Sequence, residues 1–141
     1  MTYRCQHFKI QELVGPDVWN KRAMMAWDLM DAELLMTIDQ LRERYGEITI
    51  NNWADGGTFK ESGLRDPFTT TGAAWSMHKF GRAADLKFAG KDVRDIQADI
   101  LAHASDFPLL TCMENAEATK TWLHVDTRNH AQQQQIWIVN P

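Results

Sequence analysis

Two histidines and an aspartate stand in two short runs of this chain: Ser76-Met-His78-Lys-Phe-Gly81-Arg-Ala-Ala-Asp85 and, well downstream, Trp122-Leu-His124-Val-Asp126. Two imidazoles and a carboxylate are the protein ligands of a zinc ion that keeps its fourth position for water, with metal–donor distances of about 2.0–2.2 Å. Such a centre hydrolyses. His78, Asp85 and His124 are therefore the expected ligands of a Zn²⁺ cofactor. Taken singly, each has an ordinary alternative: a surface loop histidine, a turn or cap aspartate, a satisfied strand histidine. Their joint occurrence within these flanking residues favours the metal.

The elements around them must bring residue 124 to residues 78 and 85. Ala83 to Phe88 reads as a strand, so Asp85 sits at its entry and His78 at the exit of the loop before it. The small residues Gly81, Ala83 and Ala84 let the backbone turn tightly between the two. Leu109 to Glu114 and Thr121 to Asp126 read as two further strands, and the short polar connection Asn115 to Lys120 makes them an antiparallel hairpin. If that hairpin is symmetric about Thr119, Glu114 lies across from His124 on the same face. Opposed Cβ atoms there are about 4.5–5.5 Å apart, within reach of a water on the ion. Glu114 is thus the first choice for general base. Asp126 shares the face of His124 at a two-residue interval and is the second, either orienting an imidazole or accepting the proton itself. Glu117 falls in the turn, where a solvated role is the simpler reading.

Elsewhere, Gly15-Pro16-Asp17 suits a helix start, with a helix to about Met25. A second helix spans Asp31 to Tyr45, with Leu34, Leu35, Ile38 and Leu41 at helical spacing and Gly46 as its stop. Ile48 to Trp53 alternates as a strand, Gly56 to Gly72 is a loop, Asp92 to Ala104 is a helix, and Ile136 to Val139 closes an edge. Strands and helices without regular alternation indicate an α+β fold, an antiparallel sheet covered by helices. At 141 residues and 44% hydrophobic content the chain has material for one core, so residues 1–141 are expected to form a single domain.

A net charge of −4 with scattered Lys and Arg lacks the basic footprint of a nucleic-acid binder. No run reaches membrane-span length, and the N-terminus lacks the pattern of a secretory signal, so the expectation is a protein soluble in the cytoplasm. A substrate beyond the membrane then requires delivery by lysis, a pore-forming partner or a virus particle. Cys5 and Cys112 read as ordinary thiols, with one disulfide as the alternative. His7, His103 and His130 lack ligand-like spacing to an acid and read as surface or packing residues. Trp75 and Trp122 flank the expected ligands, either walling a cleft or packing in the core. Ser76 has no adjacent base and reads as a local hydrogen-bonding residue.

The pattern Ser76-x-His78-x-x-Gly81-x-Ala83-x-Asp85 followed by Trp122-x-His124-x-Asp126 resembles the signature of the zinc D-Ala-D-Ala carboxypeptidase and hedgehog-type peptidase family. That family includes murein peptidases, vancomycin-resistance dipeptidases and phage endolysins. The stretch His7-Phe-Lys-Ile-Gln-Glu-Leu and the segment Ser62-Gly63-Leu64-Arg65 extend the likeness over most of the chain. The resemblance implies a hedgehog/DD-peptidase-like fold, the ligands His78, Asp85 and His124, and Arg65 as the arginine that meets substrate carboxylate or developing oxyanion. A planar, permanently charged fork suits that task. It further implies a peptidoglycan peptide as substrate and an endolysin-like setting: host cytoplasm before release to the wall, through a holin-type partner or as part of a phage virion. One departure stands out. Many relatives carry Glu or Asp three residues before the last histidine, where this chain has Thr121, and a hydroxyl cannot serve as that base. This departure keeps a rival reading alive, a non-catalytic virion or structural component that binds murein or a partner. An amidase cutting between sugar and peptide is a third. Which peptidoglycan bond is cut is open at this level.

Overall fold

The computed structural model describes residues 3–141. Three α-helices, α1 (Pro16–Arg22), α2 (Ala32–Tyr45) and α3 (Val93–Ala102), accompany strands β1 (Ile48–Thr49), β2 (Ala83–Phe88), β3 (Cys112–Glu114), β4 (Leu123–Asp126) and β5 (Trp137–Val139). The strands form one open sheet in the order β1-β2-β4-β3-β5. Every pairing is antiparallel except β3 with β5, which is parallel. The fold class is α+β, as expected. No helix among the described residues is long and apolar enough to cross a membrane.

The sheet has two unlike faces because side chains alternate along a strand. Ala84, Leu86 and Phe88 of β2, with Leu123 and Val125 of β4 and Met113 of β3, join a hydrophobic core. Leu34, Leu35, Ile38 and Leu41 of α2 and Val93, Ile96 and Ile100 of α3 complete it. The residues between them, Asp85 and Lys87, His124 and Asp126, and Glu114, belong to the opposite face. The apolar periodicity that drives helix docking therefore leaves the polar set on the other side.

Helix α2 begins where the Asp31 carboxylate accepts from the Glu33 N–H (2.8 Å) and ends at Gly46, which takes φ +86°. Helix α1 stops sooner than its sequence suggests. Ala23 adopts φ +48°, and the chain continues to Leu29 as a 3-10 segment that buries Ala26 and Trp27. Burial of the indole overrides helical propensity there. Strand β1 is also short, because past Thr49 the backbone leaves the sheet. The N–H of Asn51 donates to Glu12 O (2.9 Å) and that of Asn52 to Phe59 O (3.0 Å).

The long loop between β1 and β2 is stitched to its surroundings instead of lying free. Asp85 N donates to Ser62 O (2.7 Å), Leu64 N to Leu13 O (2.8 Å) and Arg65 N to His78 O (3.1 Å). A 3-10 turn, Met77–Phe80, closes it, started by Ser76, whose hydroxyl accepts from His78 N (3.3 Å). Gly81 ends that turn at φ +67°, and a Cβ on it would lie 2.2 Å from the Leu29 carbonyl oxygen. Backbone cannot yield as a side chain can. Gly81→Ala is expected to cost roughly 2–4 kcal/mol, combining left-handed strain with overpacking. Urea unfolding checks this, and a loss below about 1 kcal/mol would contradict the contact.

Candidate metal centre

Antiparallel pairing of β2 with β4 sets Asp85 directly opposite His124. The 3-10 turn brings His78 over the same spot. Asp85 Oδ1 stands 3.0 Å from His124 Nδ1 and 3.3 Å from His78 Nε2, and the two rings meet edge-on with centroids 5.1 Å apart at 65°. One donor atom from each of the three residues falls within a mutual span of 4.8 Å. Both histidines are buried, and Asp85 is nearly so.

What the other ring nitrogens do matters as much. His78 Nδ1 lies 2.9 Å from the Gly63 carbonyl, which can only accept, so Nδ1 carries the proton and Nε2 offers its lone pair inward. His124 Nε2 lies 2.8 Å from Asp126 Oδ2, which leaves Nδ1 as the inward atom. Each imidazole is thus held from behind by an acceptor, the arrangement that fixes tautomer and aim in metal-ligating histidines. Gly63 belongs to the loop that crosses the end of the first 3-10 segment, and a Cβ on it would meet Leu13 O at 2.1 Å. Only glycine lets that carbonyl reach its place.

Burial opposes the charge on Asp85, but hydrogen bonds from His124 and His78 hold its pKa well below the usual carboxylate range. Burial likewise opposes charge on Asp126, and His124 and Arg128 outweigh it, lowering that pKa to about 2. For His124 burial disfavours the imidazolium, yet the flanking carboxylates of Asp126 and Asp85 win and raise its pKa to about 9. Without metal, the imidazolium form of His124, protonated on Nδ1 as well as Nε2, is therefore favoured at neutral pH. An ion that takes Nδ1 must displace the proton there. We expect at least about one proton released per ion at roughly pH 7, with affinity rising about tenfold per pH unit below the His124 pKa. Calorimetric titration in buffers of different ionisation heat measures this, and binding without proton release would contradict it.

Glu114 reaches the same place. The β3–β4 register, Cys112 with Asp126 and Met113 with Val125, continues to Glu114 opposite His124, and Glu114 Oε1 lies 3.9 Å from His124 Nδ1. Its side chain is 22% exposed, so it faces solvent in the cleft as well as the ring. Asp126 is fully buried behind His124, on the side away from Nδ1, and is engaged by Arg128 as well. Glu117 points elsewhere, 3.8 Å from Arg94 of α3. Arg65 donates from Nε to Glu61 O (2.7 Å) and from Nη2 to Asp85 Oδ2 (3.3 Å), which pins its fork at the rim.

Two grooves, of about 430 and 520 Å³, meet at Arg65, Asp85 and Trp122. The first runs past Phe59, Lys60 and Lys87, the second past Trp75, His78, Glu114 and Arg128. Trp75 is 79% and Trp122 37% exposed, so both wall the cleft and neither packs in the core. Thr121 lines the first groove and offers no carboxylate. His7, His103 and His130 bond to Glu43, to the Asp99 backbone and to the Gln135 backbone, away from the centre. Cys5 and Cys112 are free thiols.

Two contributors were not anticipated from sequence. The Gly63 carbonyl is a backbone atom, with no signature in residue type. Arg128 had one, an Asp-x-Arg step after the second histidine. Taken together, fold and site define an α+β protein with a buried His-Asp-His group able to hold a metal ion. Comparison with protein-family models, with curated proteins and with solved structures finds no match to this chain.

Proposed function

We propose that the chain is a zinc-dependent peptidase that hydrolyses a peptide bond in bacterial peptidoglycan stems or cross-links. The observation that carries this reading is the convergence of His78 Nε2 and His124 Nδ1 on Asp85 Oδ1, each ring already held from behind. Two nitrogens and a carboxylate oxygen suit zinc better than magnesium or calcium, which favour all-oxygen sets. The same donors hold Fe(II) in oxygenases, but a carboxylate poised as Glu114 is serves hydrolysis and has no evident use there. The sequence resemblance to the zinc D-Ala-D-Ala carboxypeptidase and hedgehog-type peptidases supplies the substrate class and the expected hedgehog/DD-peptidase-like fold.

A zinc ion held by His78, Asp85 and His124 would supply Lewis acidity there, lowering the pKa of a water toward neutrality and polarising a carbonyl. Glu114 accepts the proton as water oxygen adds to the carbonyl carbon. It then delivers that proton to the amine nitrogen as the C–N bond breaks. Arg65 presents its remaining donors to the developing oxyanion or to a substrate carboxylate, at a rim where water is partly excluded. Asp126 holds the His124 ring. Trp75 and Trp122 give the peptide apolar walls. In this reading the protein reaches the wall from the host cytoplasm with a holin-type partner, or as part of a phage virion.

The test is to incubate the zinc-loaded protein with purified sacculi and assay new amino groups. Release that a chelator stops and zinc restores is the expected result. Mass spectrometry of the products identifies the bond, and a free lactyl-linked stem would assign an amidase instead. Binding to sacculi with no release would assign the non-catalytic component.

A further inference from the structure

Arg128 touches the candidate centre at one remove. It follows β4 by two positions and turns back on it, so that its backbone N–H and Nε donate to Asp126 Oδ1 at 3.1 and 2.9 Å. Nε and Nη2 reach Asp126 Oδ2 at 3.1 and 2.6 Å. That same Oδ2 receives His124 Nε2 at 2.8 Å. The backbone of Arg128 is itself fixed, because the Thr111 hydroxyl donates to its carbonyl at 2.5 Å. A carboxylate gripped by a planar fork and a backbone N–H loses its freedom to rotate. Its remaining lone pair then stays aimed at the histidine.

A solvated ion pair of the usual kind contributes little, because water screens it and two long side chains must be ordered to make it. This pair differs. Asp126 has no exposed side-chain surface while Arg128 keeps 29%, so the carboxylate lies behind the guanidinium, out of the water that screens an exposed pair. Without Arg128, the Asp126 carboxylate could swing and the His124 ring would follow.

We propose that Arg128 is a positioning residue of the metal centre, acting through Asp126 to hold the His124 ring with Nδ1 toward the ion. The proposal rests on His124 as a ligand and is independent of which bond is cut. Its test uses the full chain, with zinc affinity measured against a chromophoric chelator and the visible spectrum recorded with cobalt(II). Arg128→Ala is expected to weaken zinc binding roughly 10–100-fold, the usual effect of losing an outer-shell partner, and to alter the cobalt bands. Millimolar guanidinium, far below denaturing levels, should restore part of the loss. Arg128→Lys keeps the charge without the fork and should also bind zinc more weakly than the unaltered chain. It serves if the alanine variant does not fold. Unchanged zinc affinity and cobalt spectrum in the folded variants overturn the brace, even if their unfolding midpoints fall. No zinc binding by the unaltered chain overturns the metal centre, and the proposal with it.

Discussion

Replacing His124 by alanine is expected to remove both the bound ion and all release of amino groups from sacculi. A four-ligand zinc site is worth roughly 10–16 kcal/mol, so one donor's share is about 2.5–4 kcal/mol, or roughly 10²–10³ in affinity. His124 does more than donate. Between Asp85 and Asp126 its ring also compensates two buried carboxylates, so the alanine variant leaves them facing one another across a gap. Lower stability should accompany the loss of metal. His78→Ala separates the two effects, because His78 faces only one carboxylate and is held from behind by a neutral carbonyl. It should lose the ion with a smaller drop in the unfolding midpoint. Zymogram clearing retained by either folded variant would remove these residues from the chemistry.

Glu114→Gln is expected to behave in the opposite way, keeping the ion and losing turnover. The amide preserves the shape of the side chain but cannot accept a proton at neutral pH, and general-base removal typically costs about 10²–10⁴-fold in rate. The loss should appear in kcat with KM little changed, since the group acts on the attacking water. Asp126→Asn is the informative contrast. Asp126 lies behind His124, so its variant should weaken metal affinity first and rate only as a consequence. A Glu114→Gln enzyme within tenfold of full activity would show that the proton goes elsewhere.

Much of this arrangement could be read from residues alone, and the reasons are local. Strand β2 runs from Ala83 to Phe88, the span read as a strand from sequence, because one face is committed to the core and a register slip would expose it. Helix α2 carries its own N-cap and glycine stop. The hairpin symmetry that sets Glu114 across from His124 follows from counting residues between two short strands. The ligand group was legible because two histidines and an aspartate occur together in the two short motifs that carry the family resemblance.

The remainder depended on distant contacts. Nothing in Ile50 to Trp53 shows that their backbone bonds will go to Glu12 and Phe59 and not to a strand. The parallel pairing of β5 with β3 reverses the antiparallel pattern through a connection whose residues carry no strong turn signal. Asp126 offered two roles on sequence, orienting or accepting. Its place behind the ring, under Arg128, depends on a tertiary geometry that periodicity does not encode.

The most direct measurement is anomalous diffraction at the zinc edge from crystals grown with zinc. A single peak within about 2.0–2.2 Å of His78 Nε2, an Asp85 carboxylate oxygen and His124 Nδ1, with Glu114 facing the open side, is the predicted result. A map with no zinc among these three side chains, or with the ion held by other residues, would contradict the account.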